Sequence, residues 1–418
     1  MMGCPGGRIR CVAIGLVFGL APVAAATGWA QEPGARSDAP DRVLSDAARI
    51  SLVTILPGEK VYSLFGHNAL RVYDPGRGID TAYNYGTFDF GNPLVFAAVF
   101  AYGALDYRLT RQDFERMVAY YPAEEGRPII EQQLALDATQ RERIFRFLEW
   151  NALPENAYYR YDFYYDNCAT RIRDVLEGVL GDGLLADTTD PGTTMRQLLD
   201  PYLAERTWLH FGMDAGQGLP ADADATWRTE LFLPDRLAAW AAKARVSDGG
   251  EVRGLVSRAD TIGWAAAPAA GRPAPLPWPL LVFSAVLALV AWITLLDVRS
   301  GRRGRVWLDV PFFSLLGLAG LLIVFLWFVS LHPVTKRNFN LLWALPTNLV
   351  LAWTVARADA KPWIVRLLRG TAICALAFVA GWALWPQELP PATLPLAMAI
   401  GVRSGGLAFT RRRVADAV

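Results

Sequence analysis

"ISLVTILPGEKVYSLFGHNALRVYDPGRGIDTAYNYG", residues 50–86, decides the fold of the first half of this 418-residue chain. β-Branched and aromatic residues fill three runs, 50–56, 60–73 and 80–86, and "PGE" and "DPGRG" separate them as turns. The pattern predicts three strands. Beyond them the apolar spacing changes to the helical one. It predicts helices over 94–104, 110–119 ("TRQDFERMVA", capped by Thr110) and 138–151 ("ATQRERIFRFLEWN"). Strands followed by covering helices make an α+β domain.

Outward from this stretch, the two ends of the chain place it relative to a membrane. Arg8 and Arg10 precede an apolar run from Cys11 to Ala26, with small residues offering cleavage after Ala26 or Ala30. That is the pattern of a secretory signal peptide over 1–30, and neither Cys4 nor Cys11 has the preceding residues of a lipoprotein signal. The C-terminal third holds four long apolar runs, 278–296, 310–331, 339–355 and 367–385, and a shorter one, 392–402, that ends at Arg403. A bilayer crossing needs roughly 20 apolar residues, so these runs predict an all-α membrane domain of about five helices over 278–403. Arginine and lysine follow the first span (Arg299, Arg302, Arg303, Arg305), the third and the fifth, which places those sides and the tail 404–418 in the cytoplasm. Segments 331–340 and 386–391 then lie outside, on the same side as the region 31–264. The Ala/Pro stretch 265–277 reads as the linker.

The net charge of +1 averages two unlike regions and excludes little. No Walker, Rossmann or zinc-ligand spacing occurs, so neither a cofactor nor a metal is expected, and the arginine clusters follow topology rather than nucleic acid. No repeat of solenoid period is present.

The exported region keeps one cysteine, Cys168, in "YYDNCATRIRDVL" (164–176). Ile172, Val175, Leu176 and Val179 recur at helical spacing, so with Asp166 or Asn167 as N-cap the thiol falls at the first helical position. The helix dipole and free N–H groups there favour a thiolate. A small buried hydrophobe is the bland alternative, opposed by polar flanks and by the absence of a disulfide partner, since Cys374 lies in the fourth span. A nucleophilic cysteine needs a base, and the chain has three histidines. His67, in "LFGHNALRVY", follows Gly66 at a strand start and is the candidate. His210 reads as packing beside Trp208, and His332 sits at the outer membrane face. Asn84 or Asp89 is placed to orient the imidazole. The N–H of Cys168, with Asn167 or Tyr165, is placed to hold an oxyanion.

At these residues the chain resembles a known family. "FGHNALRVY", "YNYGTFDF", "YRYDFYYDNCATRIRD" and "LFLPDRL" resemble motifs of the Lnb N-terminal periplasmic domain, and "HPVTKRNFNLLWALPTNLV" resembles the Lnb transmembrane domain. "QGLPADADATWRTELFLPDRL" departs from the tighter family spacing. The family is named for bacterial lipoprotein N-acyltransferases. The resemblance implies a circularly permuted papain-like fold with His before Cys, and His67 and Cys168 match its catalytic pair. It also implies an inner-membrane enzyme that takes an acyl chain from a phospholipid through a Cys168 thioester to the N-terminal amine of a lipoprotein. His332, Lys336, Arg337 and Asn338 would then meet lipid head groups, or else merely mark the membrane boundary. Tyr158, Tyr159, Tyr161, Phe163 and Tyr164 would line an acyl groove or, more ordinarily, pack. Two other readings stay open. One is a papain-like peptidase or amidase, and the other is a non-catalytic, membrane-anchored binding module.

Overall fold

The computed structural model describes residues 44–88, 92–248, 251–263, 275–302, 304–357 and 361–415. The expected signal peptide, Asp89 and most of the linker lie outside the described residues.

Strands β1 (Arg49–Ile55), β2 (His67–Asp74), β3 (Ile79–Thr87), β4 (Asp106–Asp113), β5 (Ile129–Leu134), β6 (Tyr158–Arg160), β7 (Leu184–Leu185), β8 (Arg245–Asp248), β9 (Glu251–Gly254) and β10 (Val256–Ile262) build the N-terminal domain. They interleave with helices α1 (Pro93–Tyr102), α2 (Phe114–Glu124), α3 (Ala138–Asn151), α4 (Cys168–Leu180), α5 (Asp200–Leu203), α6 (Thr207–Gly216) and α7 (Pro234–Lys243). Seven strands form one antiparallel sheet in the order β10-β5-β1-β2-β3-β4-β6. The domain is therefore mixed α+β. Alternation places Ile50, Leu52, Leu70, Val72, Tyr83 and Tyr85 in one core with α3 and α4, whose Ile144, Leu148, Ile172 and Leu176 are fully buried. Val53, Ile55, Ala69 and Ala82 form a second core with Phe114 and Met117 of α2.

Two expectations shift here. Residues 60–66 are a 3-10 turn and a bend, so β2 begins only at His67. The helix expected over 110–119 starts instead at Phe114, capped by Asp113, whose carboxylate accepts from the Arg116 amide at 3.0 Å. Thr110 belongs to β4, opposite Asn84 of β3. The alternating burial of Tyr107 and Leu109 is the strand signal that the charged run "TRQD" obscured.

The C-terminal region is helical: α8 (Trp278–Ser300), α9 (Val306–Phe328), α10 (Asn348–Ala356), α11 (Pro362–Ala380) and α12 (Thr393–Ala415). Among the described residues, α8, α9 and α11 are long and apolar enough to cross a bilayer. The run 339–355 is broken. A 3-10 turn at Phe339–Leu342 and a loop through Pro346 leave a helix of only nine residues. This segment packs tightly on α9, where a Cβ on Gly320 would fall inside van der Waals distance of the Ala344 carbonyl. The helix begun by 393–402 does not end at Arg403 but continues to Ala415. Arg403 is fully buried and pairs with Asp309 at 2.5 and 2.8 Å and with Asp297 at 2.9 Å, so its charge is matched within the bundle.

Candidate active site

Three elements meet at Cys168. Asn167 caps α4: its Oδ1 accepts from the amides of Ala169 (2.9 Å) and Thr170 (3.0 Å), and Thr170 Oγ1 in return accepts from the Asn167 amide at 2.8 Å. This reciprocal cap starts the helix at Cys168 and fixes the direction of its side chain. β2 contributes His67. β3 contributes Gly86, whose φ of +90° is one that glycine alone adopts without strain. A Cβ on Gly86 would lie 3.9 Å from each of Cys168 Cβ, His67 Cε1 and Tyr159 Oη. Cys168, His67 and Tyr159 are thus drawn together around Gly86.

The imidazole is oriented from behind. Asn84 Oδ1 lies 3.3 Å from His67 Nε2, and Asn84 Nδ2 donates to Gln112 Oε1 at 3.1 Å. With the amide turned this way, Nε2 carries the proton and donates, leaving the Nδ1 lone pair free. Burial pushes the His67 pKa down to about 4, against the bond to Asn84 and with help from the Arg127 charge. The imidazole is neutral at neutral pH.

The thiol is half-buried. Burial pushes its pKa above the ordinary cysteine value, although the amides of Asn68, Ala169 and Cys168 itself point at the sulfur and favour the anion. The helix start thus helps the thiolate, as its position suggested, but desolvation outweighs it. Both shifts favour the uncharged forms, thiol and neutral imidazole, over a thiolate–imidazolium pair.

Tyr159 completes the cluster. It is nine-tenths buried, the Arg171 guanidinium lies 4.0 Å from its ring centre, and its hydroxyl has no hydrogen-bond partner among the described residues. The sequence grouped it with four other aromatic residues, and nothing local distinguished it. Gly86 carried a signal, a glycine inside a β run. Gln112 carried none, because its segment read as helix. Gly66 admits a close backbone, since its Cβ would meet the Ile55 carbonyl at 2.9 Å.

The other expected site residues are placed elsewhere. Asn167 is buried with every polar atom engaged, its Nδ2 donating to the carbonyls of Phe163 (2.7 Å) and Phe232 (2.9 Å). It positions Cys168 and has nothing left to offer a substrate. Tyr165 is 46% exposed, with its amide on Asp162. His332 donates from Nε2 to the Phe100 carbonyl at 2.7 Å and faces Asp162 at 3.7 Å, and that carboxylate raises its pKa. Asn338 is fully buried. Its Nδ2 donates to the Ala215 and Gly216 carbonyls (2.8 and 3.2 Å), and its Oδ1 accepts from the Asn340 amide. These bonds join the outer membrane loop to the end of α6 and leave Asn338 no free polar atom for a lipid head group. His210 bridges Asp200 at 3.1 Å and Asp214 at 3.4 Å, and its neighbour Trp208 packs edge-on against Phe283 of α8.

The chain matches two family models, the Lnb N-terminal periplasmic domain over residues 38–201 and the Lnb transmembrane domain over residues 274–413. No curated protein and no solved structure matches it. The first match takes in His67 and Cys168, and the second takes in the described C-terminal helices from Trp278 to residue 413. The chain thus belongs to the Lnb family, a periplasmic domain joined to a transmembrane domain, which makes it a membrane protein of the lipoprotein-processing kind.

Proposed function

We propose that the protein is an inner-membrane, multi-pass acyltransferase that moves an acyl chain from a phospholipid, through a thioester on Cys168, to the N-terminal amine of a diacylglyceryl-cysteine lipoprotein. The observation that carries this reading is the convergence of Cys168, His67 and the Tyr159 hydroxyl around Gly86. The His-before-Cys order, with the thiol opening a helix and the histidine opening a strand, fits a permuted papain-like arrangement.

The steps follow from the neutral pair. As the sulfur adds to the ester carbonyl of the donor lipid, His67 Nδ1 takes the thiol proton, and the carbonyl oxygen becomes an oxyanion. The Cys168 amide and the Tyr159 hydroxyl donate to that oxygen, a role that Asn167 is too engaged to fill. Collapse breaks the ester C–O bond, and the imidazolium returns the proton to the departing lyso-lipid oxygen. The lipoprotein amine then adds to the thioester, His67 takes the amine proton, and the thiol leaves protonated as the amide forms. Asn84 holds the ring throughout.

The test is the purified protein in phospholipid–detergent micelles without acceptor, with intact mass and peptide mapping for a hydroxylamine-labile acyl group on Cys168. An adduct in the wild type, absent from Cys168→Ala and His67→Ala, is the expected result. A thiol that is unmodified yet alkylated normally by iodoacetamide would favour an amidase, and an inert thiol would end both enzyme readings.

A further inference from the structure

Helix α1, "PLVFAAVFAY", is out of place on a water-facing domain. Asn92 caps it, its Oδ1 accepting from the Leu94 amide at 2.9 Å, and Gly103 ends it in the left-handed conformation. None of its nine residues from Leu94 to Tyr102 is buried, and apart from the Tyr102 hydroxyl none carries a polar side-chain group. Leu94 is 82% exposed and Val95 60%. A helix apolar on all sides belongs in a core or in lipid. At ten residues, α1 spans only about 15 Å and cannot cross a bilayer of ~30 Å.

Its C-terminal end sits on the membrane domain. The Leu331 amide donates to the Tyr102 carbonyl at 2.7 Å, and Gly103 packs so closely that a Cβ there would stand 3.1 Å from Leu331 Cβ. The residues closing α9, Phe328, Val329 and Leu331, are themselves exposed apolar side chains, so the surface of α1 continues that of a span. A row of rings runs inward from this junction: His332 to Phe100 (5.7 Å), Phe100 to Phe96 (6.3 Å), Phe96 to Phe88 (5.3 Å), Phe88 to Tyr107 (4.8 Å) and Tyr107 to Tyr161 (4.1 Å). Cys168, Phe88 and Tyr161 all pack on the core that contains Tyr107 and Tyr159.

We propose that α1 lies within the outer leaflet of the phospholipid bilayer beside α9, and that the ring row from Phe100 to Tyr161 is the path by which a lipid acyl chain reaches Cys168. The second half of this statement rests on the acyl-transfer reading, and the first does not. Continuity with the apolar end of α9 selects lipid over a protein partner as the occupant of this face. A short, uncharged helix of this kind enters the interfacial region by apolar burial alone.

The experiment uses the full chain in nanodiscs of phosphatidylethanolamine and phosphatidylglycerol, with a fraction of lipid carrying a diazirine midway along one acyl chain. Irradiation and peptide mapping should label 94–102 together with the end of α9. The paired substitution Leu94→Glu with Val95→Glu should remove the α1 label and lower acylation of Cys168 from nanodisc lipid at least about tenfold. Its iodoacetamide reactivity should stay unchanged, since α1 holds no group of the site. An unlabelled α1 beside a labelled Phe328–Leu331 would overturn the proposal, as would wild-type acylation in the glutamate variant. If the wild type itself forms no thioester, the acyl-transfer reading and the path fail, while the labelling still decides where α1 lies. If the glutamate variant loses alkylation as well, its fold is disturbed and the wild-type labelling decides alone.

Discussion

The thiol site and the junction at Asn338 are both built where distant segments meet, yet Tyr159 at the one and Asn338 at the other treat their polar groups in opposite ways. At the junction, Asn338 spends Nδ2 on two carbonyls of α6 and Oδ1 on Asn340, while Gln387 donates to the Gln217 carbonyl at 2.9 Å. At the thiol, the Tyr159 hydroxyl has no partner among the described residues, and the imidazole is held through Nε2 alone, by Asn84. A buried group whose bonds are all made holds architecture, whereas an unpaired hydroxyl beside a thiol keeps a donor that a bound group can use. The contrast separates two kinds of residue that looked alike in the sequence, and substitutions can test it from both sides.

The largest effect belongs to Cys168→Ala, which should abolish the acyl adduct outright while leaving thermal unfolding near that of the wild type. His67→Ala should slow adduct formation by about 10²–10⁴-fold, the range for loss of a general base. Next comes Tyr159→Phe. If its hydroxyl serves the oxyanion, the rate of acylation should fall about 10²–10³-fold. Stability should hold or rise slightly, because no native hydrogen bond is lost. A stability loss with an unaltered rate would erase the proposed contrast. Asn338→Ala should do the reverse, lowering stability by about 1–3 kcal/mol for each carbonyl left unpaired, with the intrinsic alkylation rate of Cys168 preserved.

The smallest effect is a shape rather than a magnitude. Because burial raises the Cys168 pKa and lowers that of His67 to about 4, alkylation should climb through and beyond the ordinary thiol range. No plateau between pH 5 and 8, the mark of a thiolate–imidazolium pair, should appear. The same His67 shift has a consequence for folding. The unfolded chain takes up its proton near pH 6.5 and the folded one only near 4, so stability should decline as pH falls across that window. A flat unfolding profile between those values would mean that the imidazole is better solvated than its surroundings indicate.

How much of this was legible beforehand depended on whether a residue's role is local. Asp166 or Asn167 as cap, with Cys168 as first helical residue, follows from a few adjacent side chains, and the structure has Asn167 as the cap and Cys168 first. The helix 138–151 was readable for the same reason, with Asp137 and Gln140 supplying its capping box. Thr110 was misjudged because a strand with alternating charge resembles a helix start when its partner strand is out of view. Asn338 read as a surface residue because its partners, Ala215 and Gly216, lie more than 120 positions away. Arg403 read as the end of a span because the aspartates that neutralise it lie on two other helices.

The sequence by itself determined the α+β domain, three of the apolar spans and the family, since each rests on composition, periodicity or a contiguous motif, and it named the Cys168–His67 pair on which the proposed chemistry depends. Only the tertiary structure brought Cys168, His67 and Tyr159 together around Gly86, raised the thiol pKa by burial, and left the Tyr159 hydroxyl without a hydrogen-bond partner among the described residues. It also placed the apolar helix α1 at the outer end of α9. Those properties arise from burial and from distances between segments far apart in the chain. Desolvation and proximity are consequences of packing, which no local pattern encodes.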